Sequence, residues 1–226
     1  MTGDLLLLAM LGAVLGLDVV SFPQAQVSRP LVAATVAGAF MGNALAGLLA
    51  GAALELIALE TLPFGASRYP EWGSAAVVGG ALFANQPHTT PGALATAVLA
   101  GLATAWVGGW TMVELRKLNA HWARLRLEAL ARGSHRTVIG LQVAGLTADL
   151  VRGGVLTAIS YLLLRPVVRA SVSLWSVNGG HSRAFVAALA GMVAAGAAWK
   201  IFHTTPGTRW FFLGGLAVGL ALLSLR

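Results

Sequence analysis

The chain has 226 residues, 57% of them hydrophobic and 10% charged, with a mean hydropathy of +0.78 and a formal net charge of +7. This balance excludes an ordinary soluble domain and describes a multi-pass membrane protein, with room for roughly seven to nine segments at about 20 residues per crossing. Cysteine is absent, which removes disulfides, thiolate metal sites and a phosphocysteine intermediate.

Met1-Thr2-Gly3-Asp4 leads into an apolar run over 5–20 without a basic n-region or a small-residue cleavage site. That run is expected to stay in the mature protein. The next run, 31–59, is rich in small residues. Gly38/Gly42 and Gly47/Gly51, like Gly12/Gly16 before them and Gly215/Gly219 near the end, repeat at four-residue spacing, which predicts close helix packing inside the bundle.

Charge then enters the apolar sequence. Glu55, Glu60, Arg68 and Glu71 fall between Gly51 and Gly73, together with Pro63, Gly65 and Pro70. Each charge at the centre of a helix in lipid costs about 2.5 to 3.5 kcal/mol, so these side chains are expected to face protein or a polar cavity. Glu55 and Glu60 are five apart, roughly 140° around a helix, and are not expected to act as a carboxylate pair. Glu55 is the first candidate for contact with a polar solute and Glu71 the second; Glu60 and Arg68 are further candidate substrate-binding residues, or neutralise each other. A carboxylate accepts hydrogen bonds from neighbouring sugar hydroxyls and suits a cation equally well.

The apolar stretch 74–84 is too short to cross alone and reads as re-entrant or buried, with Glu71 near the N-terminus of its helix, where the dipole favours an anion. Tyr69 and Trp72 read as interface aromatics. After the run 92–113, segment 114–136 holds Arg116, Lys117, Arg124, Arg126, Arg132 and Arg136, six of the fifteen basic residues. The positive-inside rule makes it cytoplasmic. Leu115, Leu118, Trp122, Leu125 and Ala129 form one stripe, which predicts an amphipathic helix at the cytoplasmic interface. This accounts for the net charge without nucleic acid.

Runs over 137–164 and 167–177 follow. Asp149 and Arg152 stand at the spacing of an intrahelical ion pair. The break at Asn178-Gly179-Gly180 precedes the runs 184–202 and 210–223, and Asn178 and His181 are candidate lining residues. Arg165, Arg169 and Arg183 read as snorkelling anchors. The five histidines form no His-Glu-x-x-His pattern, and neither a metal nor a cofactor motif occurs. Gly65-Ala66-Ser67 is reminiscent of intramembrane serine proteases, but Arg68 follows and no later helix carries a clear base. The fold class is therefore all-α: a polytopic membrane bundle with broken or re-entrant helices, one membrane domain over 1–226.

Several fragments together resemble a known family. Ser28-Arg29-Pro30 with Thr35, Gly42-Asn43, Gly51 through Leu59 around Glu55, Gly65-Ala66 and Pro70-Glu71 are similar to the N-terminal half of IIC membrane subunits of the mannose/fructose/sorbose sugar phosphotransferase system. Val177-Asn178-Gly179, Ala190-Gly191-Met192 and Phe211-Phe212-Leu213-Gly214 are similar to the C-terminal half. The resemblance implies a permease of the bacterial inner membrane, paired with a IID subunit, oligomeric as IIC–IID units, and moving a hexose or related sugar. Cytoplasmic IIA and IIB proteins would phosphorylate the sugar. It also implies that this chain is not catalytic by itself, carries no phosphorylation site and needs no cofactor, and that Glu55 and the 65–71 turn lie in the substrate core. Two other classes are separable by experiment: a phosphorylation-independent channel or secondary transporter, which would deliver unmodified solute, and a non-transporting scaffold or sensor, which would bind partners without sugar.

Overall fold

A computed structural model describes residues 2–19, 21–59, 68–202 and 206–224. Among these the chain is helical, in the order α1 (Thr2–Asp18), α2 (Pro30–Phe40), α3 (Ala44–Ala58), α4 (Trp72–Ala84), α5 (Pro91–Arg124), α6 (Leu127–Ala131), α7 (His135–Ser173), α8 (Gly179–Phe202) and α9 (Thr208–Ser224), with no strand. The molecule is an all-α membrane bundle that mixes short and long helices.

The apolar stretch 31–59 is broken into two helices of 11 and 15 residues. Gly42 supplies the turn, at φ +83°, and the Asn43 side chain caps α3 by accepting from Ala46 N at 3.0 Å. At 1.5 Å per residue these helices are about 17 and 23 Å long, shorter than a hydrocarbon core of about 30 Å. They fold back on each other as a hairpin held by small residues. A Cβ on Gly47 would lie 2.3 Å from the carbonyl oxygen of Ala34, and one on Gly38 2.6 Å from the Cα of Gly47. The expected small-residue packing is thus real here, whereas Gly215 and Gly219 have open space around them.

Helix α4 is the centre of the bundle. Every residue from Gly73 to Ala84 is buried, and the helix packs against α1, α2, α3, α5 and α7. Thirteen residues of mostly Gly, Ala and Val let five neighbours approach one short axis. An all-round apolar helix of this kind is what a fully buried element requires.

The long helices differ from the sequence expectation. Stretches 137–164 and 167–177 are one continuous helix, α7, of 39 residues, with Pro166 inside it. Proline is tolerated at membrane depth because neighbouring groups re-satisfy the freed backbone. Segment 114–136 is not a single interfacial helix either. Its first part is the end of α5, followed by the short α6 and the first turn of α7. Among the described residues α5 and α7 are the helices long and apolar enough to cross a membrane.

They run antiparallel: Gly92 faces the Trp175 ring at one end, Thr111 approaches Arg152 in the middle, and Gly145 faces Asn119 beyond. Starting at Pro91, about 20 residues reach Trp110, near the full depth of a hydrocarbon core. Trp106 and Trp110 are exposed at that level, as interface aromatics are. The remainder of α5, with α6 and the start of α7, forms an Arg-rich hairpin that continues about 20 Å further. Helix α8 lies against α3 and α5, and α9 against α8, where the Phe202 and Phe212 rings stack at 6.0 Å.

Candidate functional site

Polar side chains gather where α4 begins. The segment 68–71 lies along α5: Glu71 N donates to Ala105 O at 2.9 Å, and a Cβ on Gly109 would sit 2.3 Å from Tyr69 O. Only glycine admits a second backbone this close. The Tyr69 hydroxyl accepts from Arg116 Nη2 at 2.6 Å, with the guanidinium 5.1 Å over the ring. Arg68 lies over Trp106 at 5.6 Å and donates to its carbonyl at 3.3 Å. These contacts fix the entry to α4, so Glu71 arrives at its N-cap.

The Glu71 carboxylate is 0% exposed, and its two oxygens accept from Ser74 N at 3.1 and 3.2 Å. Capping a helix stabilises by about 1 kcal/mol and the dipole adds up to about 2, whereas burying a carboxylate costs several kcal/mol after relaxation. One backbone donor therefore leaves hydrogen-bonding capacity on a buried acid. The walls are close on two sides: a Cβ on Gly73 would meet Leu15 O at 2.5 Å, and one on Gly108 would meet Glu71 Cβ at 2.7 Å.

A second buried polar group lies on α7. Asp149 and Arg152 form the expected intrahelical ion pair, 2.8 Å between Oδ1 and Nε, with side chains only 5% and 8% exposed. Ser21 donates to the other Asp149 oxygen, and Arg152 Nη1 reaches Thr111 Oγ1 at 3.4 Å. Arg152 Nη2 is buried without a partner. The place a Cβ would occupy on Gly16 is 3.2 Å from Ser74 Oγ and 3.5 Å from Arg152 Nη2, so the α4 N-terminus and the free guanidinium edge converge on one glycine of α1. Asp18, also buried, accepts from Ala25 N at 2.6 Å and Ser28 N at 2.9 Å and ties down the connection to α2.

What these residues belong to is decided by comparison. The family described as the sorbose-specific IIC component of the phosphotransferase system matches residues 3–219. The chain belongs to that family. It is a membrane component of phosphotransferase sugar transport, as the resemblance implied. A solved chain described as "Structure of membrane protein" shares the fold, with a TM-score of 0.76 at 19% identity over 100% of this chain and 92% of that one. No curated protein matches it in sequence.

Within this IIC component the sequence-derived candidates are not gathered into one place. Glu55, expected to contact a polar solute, is paired with Arg29, and its other oxygen accepts from Leu31 N at 3.2 Å. It thereby fastens the open end of the α2–α3 hairpin and caps α2. Glu60 lies outside the described residues, and so do Pro63 and Gly65. Arg68 is occupied by Trp106 and is exposed. Asn178 and His181 are exposed at the opposite end of the bundle, where Asn178 Oδ1 accepts from Gly180 N at 2.7 Å and starts α8. Trp175 beside them packs on Gly92, about 20 Å along α5 from the level of Glu71. Among the five candidates within the described residues, Glu71 is the one joined to a buried polar cluster.

Sequence reasoning passed over Ser21, Ser74, Thr111 and the outward role of Arg152. A serine three residues after a carboxylate at a helix start is a capping signal and was available. The convergence of α1, α5 and α7 on that start was not.

Proposed function

We propose that this IIC component binds a hexose or related sugar at the N-terminus of α4, with Glu71 accepting hydrogen bonds from sugar hydroxyls and Arg152 donating from the opposite wall. The observation that carries this reading is the Glu71 carboxylate, wholly buried and held by one backbone donor, at a helix start where Ser74 and an Arg152 guanidinium edge without an acceptor both approach Gly16. A neutral polyol supplies both missing partners, since each hydroxyl donates and accepts. A cation would satisfy Glu71 and leave Arg152 worse placed, so the polyol is favoured over an ion.

In this proposal Glu55 holds the α2–α3 hairpin to Arg29 and acts on sugar only through that geometry. The IID subunit completes the membrane unit in the bacterial inner membrane, IIC–IID units associate further, and the IIB protein, charged by IIA, phosphorylates the sugar at the Arg-rich face. This chain contributes no phosphoryl chemistry of its own. Movement of α4 and the short hairpin against α5 and α7 would open the site to either side, as broken-helix transporters do.

The test is Glu71→Gln, which keeps size and capping geometry and removes the charge. In cells supplying the partner subunits, uptake of phosphorylated sugar should fall about tenfold or more, the loss expected when a charged hydrogen bond worth about 1.5 to 3 kcal/mol is removed. The amount of protein in the membrane should be unchanged. Normal uptake would move the site elsewhere. Recovery of unmodified sugar inside vesicles that hold this chain alone would replace the phosphotransferase reading with a channel.

A further inference from the structure

The Arg-rich hairpin holds two adjoining cavities that neither the α4 site nor the family assignment explains. One, of about 440 Å³, lies between α5 and α7 and is lined by Ser21, Asn119, Trp122, Gln142 and Asp149 among others. The second, of about 480 Å³, shares Trp122 and Leu141 with the first and adds Arg126, Arg136 and Thr137. Each volume falls in the range of about 300 to 1,000 Å³ typical of small-ligand sites.

Their linings are chemically different. The first offers a hydroxyl, two side-chain amides, a carboxylate and an indole face, which is the set that recognises a hydroxylated ring with one apolar side. Asn119 Oδ1 is buried there without a partner, and Gly145 opposite has no side chain to fill the space, since a Cβ would come within 3.5 Å of the Asn119 amide. The carboxylate is already neutralised by Arg152 and Ser21, so it does not repel an anion next door. The second cavity offers two guanidinium groups and a hydroxyl, and guanidinium forks match phosphate oxygens. Neither helix closes these spaces with its own side chains, although both are continuous to this point.

We propose that the two cavities together form a binding site for a phosphorylated sugar, the ring against Trp122, Asn119 and Gln142 and the phosphate between Arg126 and Arg136. The proposal rests on the sugar-transport reading for its ligand class but not on the α4 site. It places a product-holding site beyond the membrane, on the hairpin where the phosphoryl group is added. A free hexose would use half the site and inorganic phosphate the other half.

The experiment uses the full chain in phosphatidylcholine nanodiscs. Glucose 6-phosphate, mannose 6-phosphate and fructose 1-phosphate are titrated by calorimetry and by tryptophan fluorescence, with the free hexoses and inorganic phosphate as half-ligands. At least one hexose phosphate should bind about tenfold or more tighter than either of its halves, the gain of adding charge-assisted hydrogen bonds to a shared scaffold. All titrations are run in the Glu71→Gln background, which removes hexose binding at the α4 site. There, Arg126→Ala with Arg136→Ala should remove that advantage and leave the free hexose unaffected, Asn119→Ala should weaken sugar and sugar phosphate alike, and Trp122→Phe should abolish the fluorescence change. Binding by none of the three, affinity no better than inorganic phosphate, or affinity that survives the double arginine change overturns the proposal. Repeating the titration in phosphatidylglycerol nanodiscs separates a lipid source: complete loss of binding there would assign the cavities to a polyol headgroup and also overturn it. Glu71→Gln is expected to leave this binding intact, so failure of the α4 site and failure of the hairpin site are read separately.

Discussion

Glu71 and Arg152 show how a few atoms concentrate free energy in a membrane bundle. A carboxylate and a guanidinium in low dielectric are stable only with full sets of partners, and each here is partly served. The Asp149–Arg152 pair, by contrast, is bonded between its members and braced by Ser21 and Thr111. Asp149→Asn or Arg152→Met alone should destabilise the protein by about 3 to 5 kcal/mol, because each leaves a buried group uncompensated. The double variant should cost clearly less than the sum of the two. A double-mutant cycle from unfolding in detergent checks this, and additive losses would mean that the pair contributes no coupling.

Small residues govern the next scale. The α2–α3 hairpin depends on Gly38 and Gly47 for contact and on Gly42 and Asn43 for its turn. Gly47→Val would drive a branched side chain into the Ala34 carbonyl and should cost about 3 kcal/mol or more by overpacking. Gly191→Ala, in a helical position with nothing within 4 Å, should instead stabilise by about 0.5 to 1 kcal/mol. Thermal unfolding of the two variants side by side gives opposite signs if internal packing, and not composition, sets the demand for glycine. Gly12 belongs with Gly47: a Cβ there would overlap the Thr157 hydroxyl at 1.9 Å. The repeated spacing in the sequence identified the glycines, but only the neighbours show which ones matter.

For the whole molecule, we propose an orientation with the Arg-rich hairpin in the cytoplasm, the side that the positive-inside rule favours. The absence of cysteine makes this directly measurable. Arg132→Cys should react with a membrane-impermeant maleimide in inside-out vesicles only, and Asn178→Cys in right-side-out vesicles only, because Trp175 and Gly92 put residue 178 at the far end of α5. Labelling of both from the same side would refute the arrangement. The hairpin also shows where sequence patterns mislead. The stripe Leu115, Leu118, Trp122, Leu125 was legible as amphipathic; Leu115, Trp122 and Leu125 line cavities shared with the start of α7, Leu118 and Leu125 stay exposed, and the residues to Arg124 continue a membrane helix without interruption.

Several things were set by the sequence alone, for reasons of solvation. Apolar content dictates a helical membrane bundle, since backbone groups in lipid must be bonded within their own segment. Proline, glycine and a carboxylate before a short apolar run dictate a broken entry capped by Glu71, and three-residue spacing brings Asp149 to Arg152. Those are local effects, carried by bonds within a few residues. The tertiary structure alone decided that Glu55 meets Arg29 across a hairpin, that Pro166 lies inside one long helix, that Asn178 and His181 sit at the wrong end for Glu71, and that Gly16, Ser74 and Arg152 converge. Each depends on which helices become neighbours, and where small residues line every face, the packing of whole surfaces fixes that choice rather than any single motif.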